Sequence, residues 1–250
     1  MKISTTLFRA TVLSLALTAA AHAAEPIKNV VLVHGAYADG SGWRGVYDIL
    51  VRDGFKVSVV QQPLTGLDDD VQATRRVLDQ QDGPVVLVGH SYGGMIITDA
   101  GADPKVKALV YVAALQPDVG DSVIGLARTM KAPSDDVKQT KDGFLYLNPA
   151  RFAADFAADL PAKQTAFMAN AQMPAALAAF NAPAKVATWR SKPSYAIVAS
   201  EDMTLSPDLQ RWMYKRAGAH IIEIKGSHAV FISQPAAVAK VIEAAARGQH

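Results

Sequence analysis

Six short apolar runs that alternate with stretches of helical spacing constrain the fold most strongly. The runs are almost continuously apolar, which is typical of strands that are covered on both faces. Alternation of such strands with helices predicts an α/β fold, a mostly parallel sheet with helices on both faces. The predicted strands are Val30 to His34, Lys56 to Gln61, Val85 to Gly89, Val106 to Ala113, Tyr195 to Ser200 and His220 to Lys225. The predicted helices are Trp43 to Asp53, Asp68 to Gln80, Tyr92 to Ala102, Pro207 to Ala217 and Pro235 to Arg247.

One long segment interrupts this alternation. From Gln116 to Lys192 no run has the character of a strand, and the chain is rich in alanine and punctuated by proline. Loops of that length without a function are uncommon, so the segment is predicted to be a helical insertion that lies on the C-terminal edge of the sheet as a lid. An ordinary second subdomain is the alternative. Its large apolar side chains either contact a substrate or form the insertion's own core: Phe144, Phe152, Phe156, Phe167, Met168, Met173 and Phe180.

The N-terminus has the form of a secretory signal peptide over residues 1–23. A short polar start holds Lys2 and Arg9, an apolar run extends from Ala10 to Ala21, and Ala21-His22-Ala23 offers small residues for cleavage. The run is shorter than the roughly 20 apolar residues that a membrane-spanning helix needs. We therefore expect export to the periplasm or the medium, no stable membrane anchor, and one domain over residues 24–250.

Composition excludes several classes of function. The chain of 250 residues has a formal charge of +2, which Lys2 and Arg9 of the predicted signal peptide account for. No basic run is longer than Arg75-Arg76, so a nucleic-acid-binding surface is not expected. The chain has no cysteine, which excludes disulfides, thiolate metal sites and a cysteine nucleophile.

The segment from Val85 to Met95 combines a strand, the pattern Gly-x-Ser-x-Gly and the start of a helix. A sharp strand-to-helix turn of this kind forces Ser91 into a strained backbone conformation and lifts its hydroxyl clear of the sheet. Gly89 and Gly93 lack the Cβ atoms that would clash in such a turn. The following helix points its positive end at the site. Ser91 is therefore predicted to be a nucleophile.

A serine nucleophile needs a base at the same edge of the sheet, beyond the carboxyl ends of the strands. Of the six histidines, His228 is the one that follows a late strand and precedes a helix. Its acid partner should follow the preceding strand, where Asp202 is predicted to hold the imidazole. Glu201, Asp118 and Asp121 remain alternatives for the acid.

Two backbone N–H groups must bind the oxyanion that forms when a serine attacks a carbonyl group. One is predicted at Tyr92, directly after the nucleophile, and the other at Ala36 in the glycine-rich loop after the first strand. That loop lacks the marks of a phosphate-binding loop, because no Gly-Lys-Ser/Thr follows and no Gly-x-Gly-x-x-Gly opens the helix. A nucleotide is therefore not expected, and the predicted chemistry requires no cofactor or metal.

Together these segments resemble the α/β-hydrolase superfamily, in particular its branch of plant methyl-ester esterases and hydroxynitrile lyases. The resemblance covers nearly the whole chain after the signal peptide. It rests on Val31-Leu-Val-His-Gly-Ala36 with Gly-Ser-Gly-Trp43, Gly89-His-Ser-Tyr-Gly-Gly94, Val110-Tyr-Val-Ala-Ala114, Asp202 to Pro207, and Ser227-His228 with Phe231-Ile-Ser-Gln-Pro235. The resemblance implies a lid between the strands that end near Ala113 and begin near Tyr195. It also implies the triad and oxyanion donors Ser91, Asp202, His228, Ala36 and Tyr92.

Two residues separate the chain from the lyases that it resembles. Those lyases carry a threonine after the histidine of the first strand and a lysine after the catalytic histidine, where this chain has Gly35 and Ala229. A serine nucleophile also differs from the carboxylate of haloalkane dehalogenases and epoxide hydrolases. The sequence thus predicts an exported serine hydrolase that cleaves a small, largely apolar carboxylic ester. The alternatives are cleavage of a thioester, lactone, amide or carbon–carbon bond on the same triad, and ligand binding without turnover.

Overall fold

The computed structural model of the protein describes residues 27–249 and contains the strands and helices that the sequence predicts for the sheet, to within two residues at either end. The strands are β1 (Asn29–Val33), β2 (Lys56–Val60), β3 (Val85–His90), β4 (Val106–Val112), β5 (Val137–Gln139), β6 (Phe144–Leu147), β7 (Ala175–Ala176), β8 (Ser194–Ala199) and β9 (His220–Ile224). The helices are α1 (Arg44–Arg52), α2 (Leu67–Asp79), α3 (Gly93–Ala100), α4 (Val123–Thr129), α5 (Phe152–Phe156), α6 (Ala162–Asn170), α7 (Leu177–Asn181), α8 (Pro207–Arg216), α9 (Val230–Ser233) and α10 (Pro235–Arg247).

A six-stranded sheet with the order β2-β1-β3-β4-β8-β9 forms the centre of the structure. Each of its pairings is parallel. Because all six strands run in the same direction, their carboxyl ends meet at one edge, where ligands bind in open parallel sheets. The fold therefore brings the residues after β1, β3, β8 and β9 to a common edge.

Both faces of the sheet are buried along its central strands β1, β3, β4 and β8, as the apolar runs predict, whereas the edge strands β2 and β9 are partly exposed. Along β1, Val30 and Leu32 pack on one face, whereas Val31 and Val33 pack on the other. The first face is covered by α1 and α10, and the second by α2, α3 and α8. Full burial of one such side chain contributes about 1.5–3 kcal/mol, so this two-sided core stabilises the edge on which the site is built.

Residues 116–192, here called the insert, lie between β4 and β8 and are not purely helical. They contain helices α4 to α7 but also a three-stranded antiparallel sheet with the order β5-β6-β7. The prediction of a helical insertion without strands is therefore wrong. All three residues of β5 are exposed and β7 consists of two alanines, so neither strand leaves an apolar run in the sequence.

None of the helices within residues 27–249 is long and apolar enough to cross a membrane. The predicted signal peptide, residues 1–23, lies outside the described residues. Its cleavage and the export of the chain stay predictions.

Gly94, near the start of α3, allows the chain that follows β4 to cross this helix at close range. A Cβ atom at position 94 would lie 1.9 Å from the carbonyl oxygen of Leu115. The Leu115 N–H donates a 3.1 Å hydrogen bond to the carbonyl oxygen of Ser91. The crossing is thus in direct contact with the turn that carries the predicted nucleophile.

We expect Gly94→Ala to lower the free energy of unfolding by about 1–3 kcal/mol, because the added methyl group forces the crossing apart. Urea unfolding followed by circular dichroism measures the change. Gly83→Ala is the matched control, since a Cβ atom there would make an ordinary contact of 3.4 Å with Asn29. Equal stability of Gly94→Ala and the unaltered chain would contradict the close packing.

Candidate active site

Ser91 lies between the end of β3 and the start of α3 in a strained backbone conformation, as the sequence predicts. Its φ is +53°, a region that residues other than glycine rarely adopt. The Ser91 N–H donates to the Val112 carbonyl at 3.3 Å, and the Ser91 carbonyl accepts from Gly94 at 2.9 Å and from Leu115 at 3.1 Å. The surrounding backbone therefore holds the turn on both sides of the serine.

Three glycines make room for this turn. A Cβ atom at Gly89 would lie 2.6 Å from the Gly93 carbonyl oxygen, and one at Gly93 would lie 2.8 Å from the His34 carbonyl oxygen. These close backbone contacts confirm that both motif positions require glycine. The glycine that faces the serine itself is Gly35, where a Cβ atom would lie 2.7 Å from Ser91 Cβ. Sequence reasoning did not assign this contact to Gly35.

His228 and Asp202 form a buried pair beyond the ends of β9 and β8. His228 Nδ1 lies 2.6 Å from Asp202 Oδ2, and both side chains are fully buried. Asp202 Oδ2 also accepts from Gln210 at 2.8 Å, while Oδ1 accepts the N–H groups of Thr204 and Leu205, each at 2.8 Å. Since burial of a carboxylate is costly unless its oxygens are hydrogen-bonded, this set of donors offsets the cost of burying Asp202.

The three alternative acids each pair with a basic side chain, and none has a hydrogen bond to the His228 imidazole. Asp118 bonds to Arg190, Asp121 lies 2.9 Å from an Arg216 nitrogen, and Glu201 is exposed beside a lysine. The structure therefore brings Asp202 alone of the four candidates to the imidazole. Within residues 27–249, no group of three or more His, Asp and Glu side chains is placed to hold a metal ion.

His90 supports the backbone of His228. Its Nε2 lies 2.9 Å from the His228 carbonyl oxygen, and because a carbonyl only accepts, Nε2 carries the hydrogen. Burial lowers the pKa of His90 well below its usual range, so the ring is neutral. The His228 ring packs against His90 at 4.7 Å and against the edge of Phe156 at 4.9 Å. Phe156 belongs to the insert, which therefore touches the histidine directly.

The second nitrogen of the His228 imidazole is unused. Nε2 is buried and has no hydrogen-bond partner within residues 27–249. The Ser91 hydroxyl is therefore not hydrogen-bonded to it in this structure, although both residues lie beyond the same edge of the sheet. Because it has no partner, Nε2 is available to accept a hydrogen bond. The lack of a bond to Ser91 does not argue against catalysis, since catalytic hydrogen bonds often tighten only when substrate binds.

Ala36 and Tyr92, the predicted oxyanion donors, line one cavity together with Ser91. Neither backbone N–H donates a hydrogen bond to any residue in the described part of the chain. Both groups are thus available to a ligand. Tyr37, directly after Ala36, has a φ of +64°, so a second strained turn borders the same cavity.

The cavity has a volume of about 370 Å³, within the range of small-molecule sites. Its wall is mostly apolar, with Lys131 and Asp135 as its charged residues. The lining residues are Ala36, Tyr37, Ser91, Tyr92, Leu115, Val123, Ile124, Ala127, Lys131, Ala132, Ser134, Asp135, Val137, Leu145, Phe180, Thr204 and Leu205. The insert contributes the larger part of this wall.

Of the apolar insert residues that the sequence singles out, only Phe180 lines this cavity. Phe152 and Phe156 are buried in the core, and Phe167 and Met168 line a neighbouring cavity of about 320 Å³. Sequence reasoning missed the residues that α4 and the small sheet contribute, because those positions are short aliphatic side chains in a segment with no recognisable strand pattern.

Asp70 is a second residue that sequence reasoning missed. It is fully buried, and its carboxylate accepts a 2.8 Å hydrogen bond from the Tyr92 hydroxyl. The available signal was helical spacing, since Asp70 falls on the same face of α2 as Leu67, Val71 and Thr74. Within a run of three aspartates, that signal is easily taken for a solvated surface.

Comparison with known proteins identifies relatives over most of the chain. Residues 30–241 match the model of the alpha/beta hydrolase family. A carbendazim hydrolyzing esterase of Nocardioides sp. (strain SG-4G) is 34% identical over 113 residues, which are 39% of this chain and 46% of that protein. Methylesterase 8 of Arabidopsis thaliana is 25% identical over 226 residues, covering 80% of this chain and 82% of that protein.

Solved structures show the same fold. A pyrethroid hydrolase from Sphingobium faniae JZ-2 superposes with a TM-score of 0.75 at 21% identity, over 88% of this chain and 97% of that one. Polyneuridine aldehyde esterase gives a TM-score of 0.73 at 23% identity, over 86% and 98%. Because the family match extends over most of the residues and the sheet order agrees with a mostly parallel hydrolase fold, the chain belongs to the alpha/beta hydrolase family.

Proposed function

We propose that the chain is an exported serine hydrolase that cleaves a small, largely apolar carboxylic ester through an acyl-enzyme intermediate. The observation that carries this proposal is the buried pair of His228 and Asp202, whose free imidazole nitrogen lies beyond the same sheet edge as the strained Ser91. The family membership supports an enzyme of the esterase type.

Acylation begins when the Ser91 hydroxyl oxygen attacks the ester carbonyl carbon and His228 Nε2 takes the hydroxyl proton. Asp202, hydrogen-bonded to Nδ1, holds the imidazole in the correct tautomer and stabilises the imidazolium that forms. The N–H groups of Ala36 and Tyr92 donate to the oxyanion of the tetrahedral intermediate. When this intermediate collapses, the ester C–O bond breaks and His228 gives its proton to the departing alcohol.

Deacylation repeats these steps with water. His228 takes a proton from a water molecule as the water oxygen attacks the acyl carbon of the Ser91 ester. The same two N–H groups bind the second oxyanion. Collapse releases the carboxylic acid, and the proton on His228 returns to Ser91, so the enzyme is regenerated without a cofactor.

The cavity beside Ser91 supports this substrate class. Its wall is mostly apolar and its volume of about 370 Å³ suits a small acyl or alcohol group. The names of the similar proteins, a carbendazim hydrolyzing esterase and a methylesterase, support an ester as the reacting group. A small ester with a largely apolar body therefore fits the site best.

Export rests on the predicted signal peptide. We expect protein recovered from the periplasm or the medium of the producing cells to begin at Ala24, because the small residues at positions 21 and 23 favour cleavage after Ala23. Mass spectrometry of the intact protein measures the start. Recovery only from the cytosol, with residues 1–23 still attached, would contradict the export proposal without affecting the proposed chemistry.

We expect Ser91→Ala to lower kcat for a chromogenic ester by about 10⁴-fold or more, because it removes the nucleophile. A panel of esters, thioesters, lactones and amides of graded acyl length measures the loss, and a fluorophosphonate probe should label Ser91 in the unaltered protein. Ser191→Ala, at an exposed serine, is the matched control. Unchanged ester turnover by Ser91→Ala would contradict the proposal. Failure of the probe to label Ser91 would favour a ligand-binding protein without turnover.

We expect Asp202→Asn to lower kcat by about 10³–10⁴-fold, because an amide cannot hold the imidazole in the required tautomer. The matched control is Glu201→Gln at the exposed neighbour, which should keep the full rate. Circular dichroism confirms that both variants are folded before their rates are compared. Full activity of Asp202→Asn with a loss in Asp118→Asn or Asp121→Asn would assign the role to the acids that follow β4.

A further inference from the structure

A buried carboxylate that the proposed mechanism does not use lies behind the Ser91 turn. Asp70, in the first turn of α2, is fully buried. One carboxylate oxygen accepts a 2.8 Å hydrogen bond from the Tyr92 hydroxyl, and the other accepts a 2.7 Å bond from the Leu64 N–H. Asp70 therefore bonds at once to the residue after the nucleophile and to the loop before its own helix.

Tyr92 links this carboxylate to the reacting centre. Its N–H is a proposed oxyanion donor, and its side chain is only 1% exposed. The ring is held at its hydroxyl by Asp70 and on its face by Phe180, at a centroid distance of 5.5 Å and an angle of 18°. The backbone of Tyr92 has only two soft dihedral angles. A ring that is held at both its hydroxyl and its face limits rotation about them, and therefore restricts the direction of the Tyr92 N–H.

Leu64 links the same carboxylate to the insert. Leu64 has a φ of +59°, and its N–H is bonded to Asp70 while its carbonyl accepts a 2.8 Å hydrogen bond from Ala176. Ala176 leads directly into α7, the helix that carries Phe180. Phe180 also stacks on Tyr37, the residue after the second proposed donor, at 6.1 Å. A closed chain of contacts thus joins Asp70 to both sides of the oxyanion site.

We propose that Asp70 is a positioning residue for the oxyanion site, which holds the Tyr92 N–H in line with the developing charge and, through Leu64, fixes the cavity wall at Phe180. The inference rests on the proposed function, because it assigns Asp70 a part in stabilising the acyl-transfer transition state. A misaligned donor weakens binding of the transition state more than binding of the substrate. Loss of Asp70 should therefore lower kcat and leave KM nearly unchanged.

Ionisation of Asp70 destabilises the folded state, so stability alone does not explain a carboxylate at this position. Burial raises its pKa from 3.8 to about 6, against the opposing effect of the hydrogen bonds from Tyr92 and Leu64. The folded state thus binds this proton more tightly than the unfolded chain, and ionisation lowers the free energy of unfolding as the pH rises from about 4 to about 6. The other charged groups here are Asp69, which raises the pKa of Asp70 further, and Asp68, which acts on Tyr92 and is paired with Lys185.

Two variants remove the carboxylate–hydroxyl hydrogen bond from opposite sides. We expect Asp70→Asn and Tyr92→Phe each to lower kcat about 10-fold on a chromogenic ester at pH 8, with KM changed less than twofold. The double variant should be no slower than either single one, because both remove the same interaction. Asp69→Asn, at the exposed neighbour, is the matched control and should keep the full rate.

The pH profile provides a readout that a merely structural role would not move. Asp70 takes up a proton near pH 6, which weakens its hydrogen bond with the Tyr92 hydroxyl, so kcat of the unaltered enzyme should fall more steeply below pH 6 than kcat of Asp70→Asn. An identical fall in the two proteins, additive losses in the double variant, or a full kcat in Tyr92→Phe would overturn the inference.

If Asp70→Asn fails to fold, Tyr92→Phe tests the same hydrogen bond, because it retains the buried carboxylate. The expected result is again a lower kcat. The labelling of Ser91 in the unaltered protein separates the two proposals. Labelled and active enzyme with full kcat in both variants overturns the role of Asp70 alone. Absence of labelling and of turnover in the unaltered protein refutes the proposed function, and the role of Asp70 with it.

Discussion

Close packing of backbone around Ser91 is the constraint on which the rest of the site depends. The positive φ of this serine costs about 1–3 kcal/mol and persists only where the surroundings over-determine it. Here the loop after β1 approaches at Gly35, the start of α3 at Gly93, and the chain after β4 at Gly94, each too close to allow a Cβ atom. These segments can converge because β1, β3 and β4 are neighbours in one parallel sheet and end at one edge. The strained turn is thus a consequence of the topology and of glycine at positions 35, 93 and 94.

The insert supports the position of His228. The Phe156 carbonyl accepts the Ala229 N–H at 2.9 Å, directly after His228. On the other side, Asp159 accepts both the N–H and the hydroxyl of Ser227, at 3.0 and 2.5 Å. The loop that carries His228 is therefore bonded to the insert on both sides of the histidine. Movement of this part of the insert would displace the proposed base, whereas the part that carries α4 has no such bond to the histidine.

The features that could be predicted from the sequence are those that a short segment encodes by itself. Each strand of the main sheet is an apolar run, and the turn at Ser91 is a run of five residues with a fixed pattern. The choice of Asp202 over three other acids depends on a contact across 26 positions of the chain, which the local pattern leaves open. Asp70 escaped notice for a similar reason: its burial depends on how α2 packs against α3, and its own neighbours are exposed aspartates. Strands β5 and β7 of the insert were missed because they contain too few apolar residues to leave a pattern, whereas β6 was missed although its run Phe-Leu-Tyr-Leu is apolar.

The proposed catalytic groups and most of the cavity wall belong to different parts of the fold. Ser91, Ala36 and Tyr92 follow strands of the sheet, so their positions depend on the core, whereas much of the cavity wall comes from α4, β5, β6 and α7 of the insert. Substitutions in α4 or β6 can reshape the cavity without a direct effect on the serine turn. Phe180 is different, because it forms the cavity wall and also stacks on Tyr92. At Phe180 a change in the cavity wall is therefore coupled to the geometry of a proposed oxyanion donor, so variation of the wall is constrained beside Ser91.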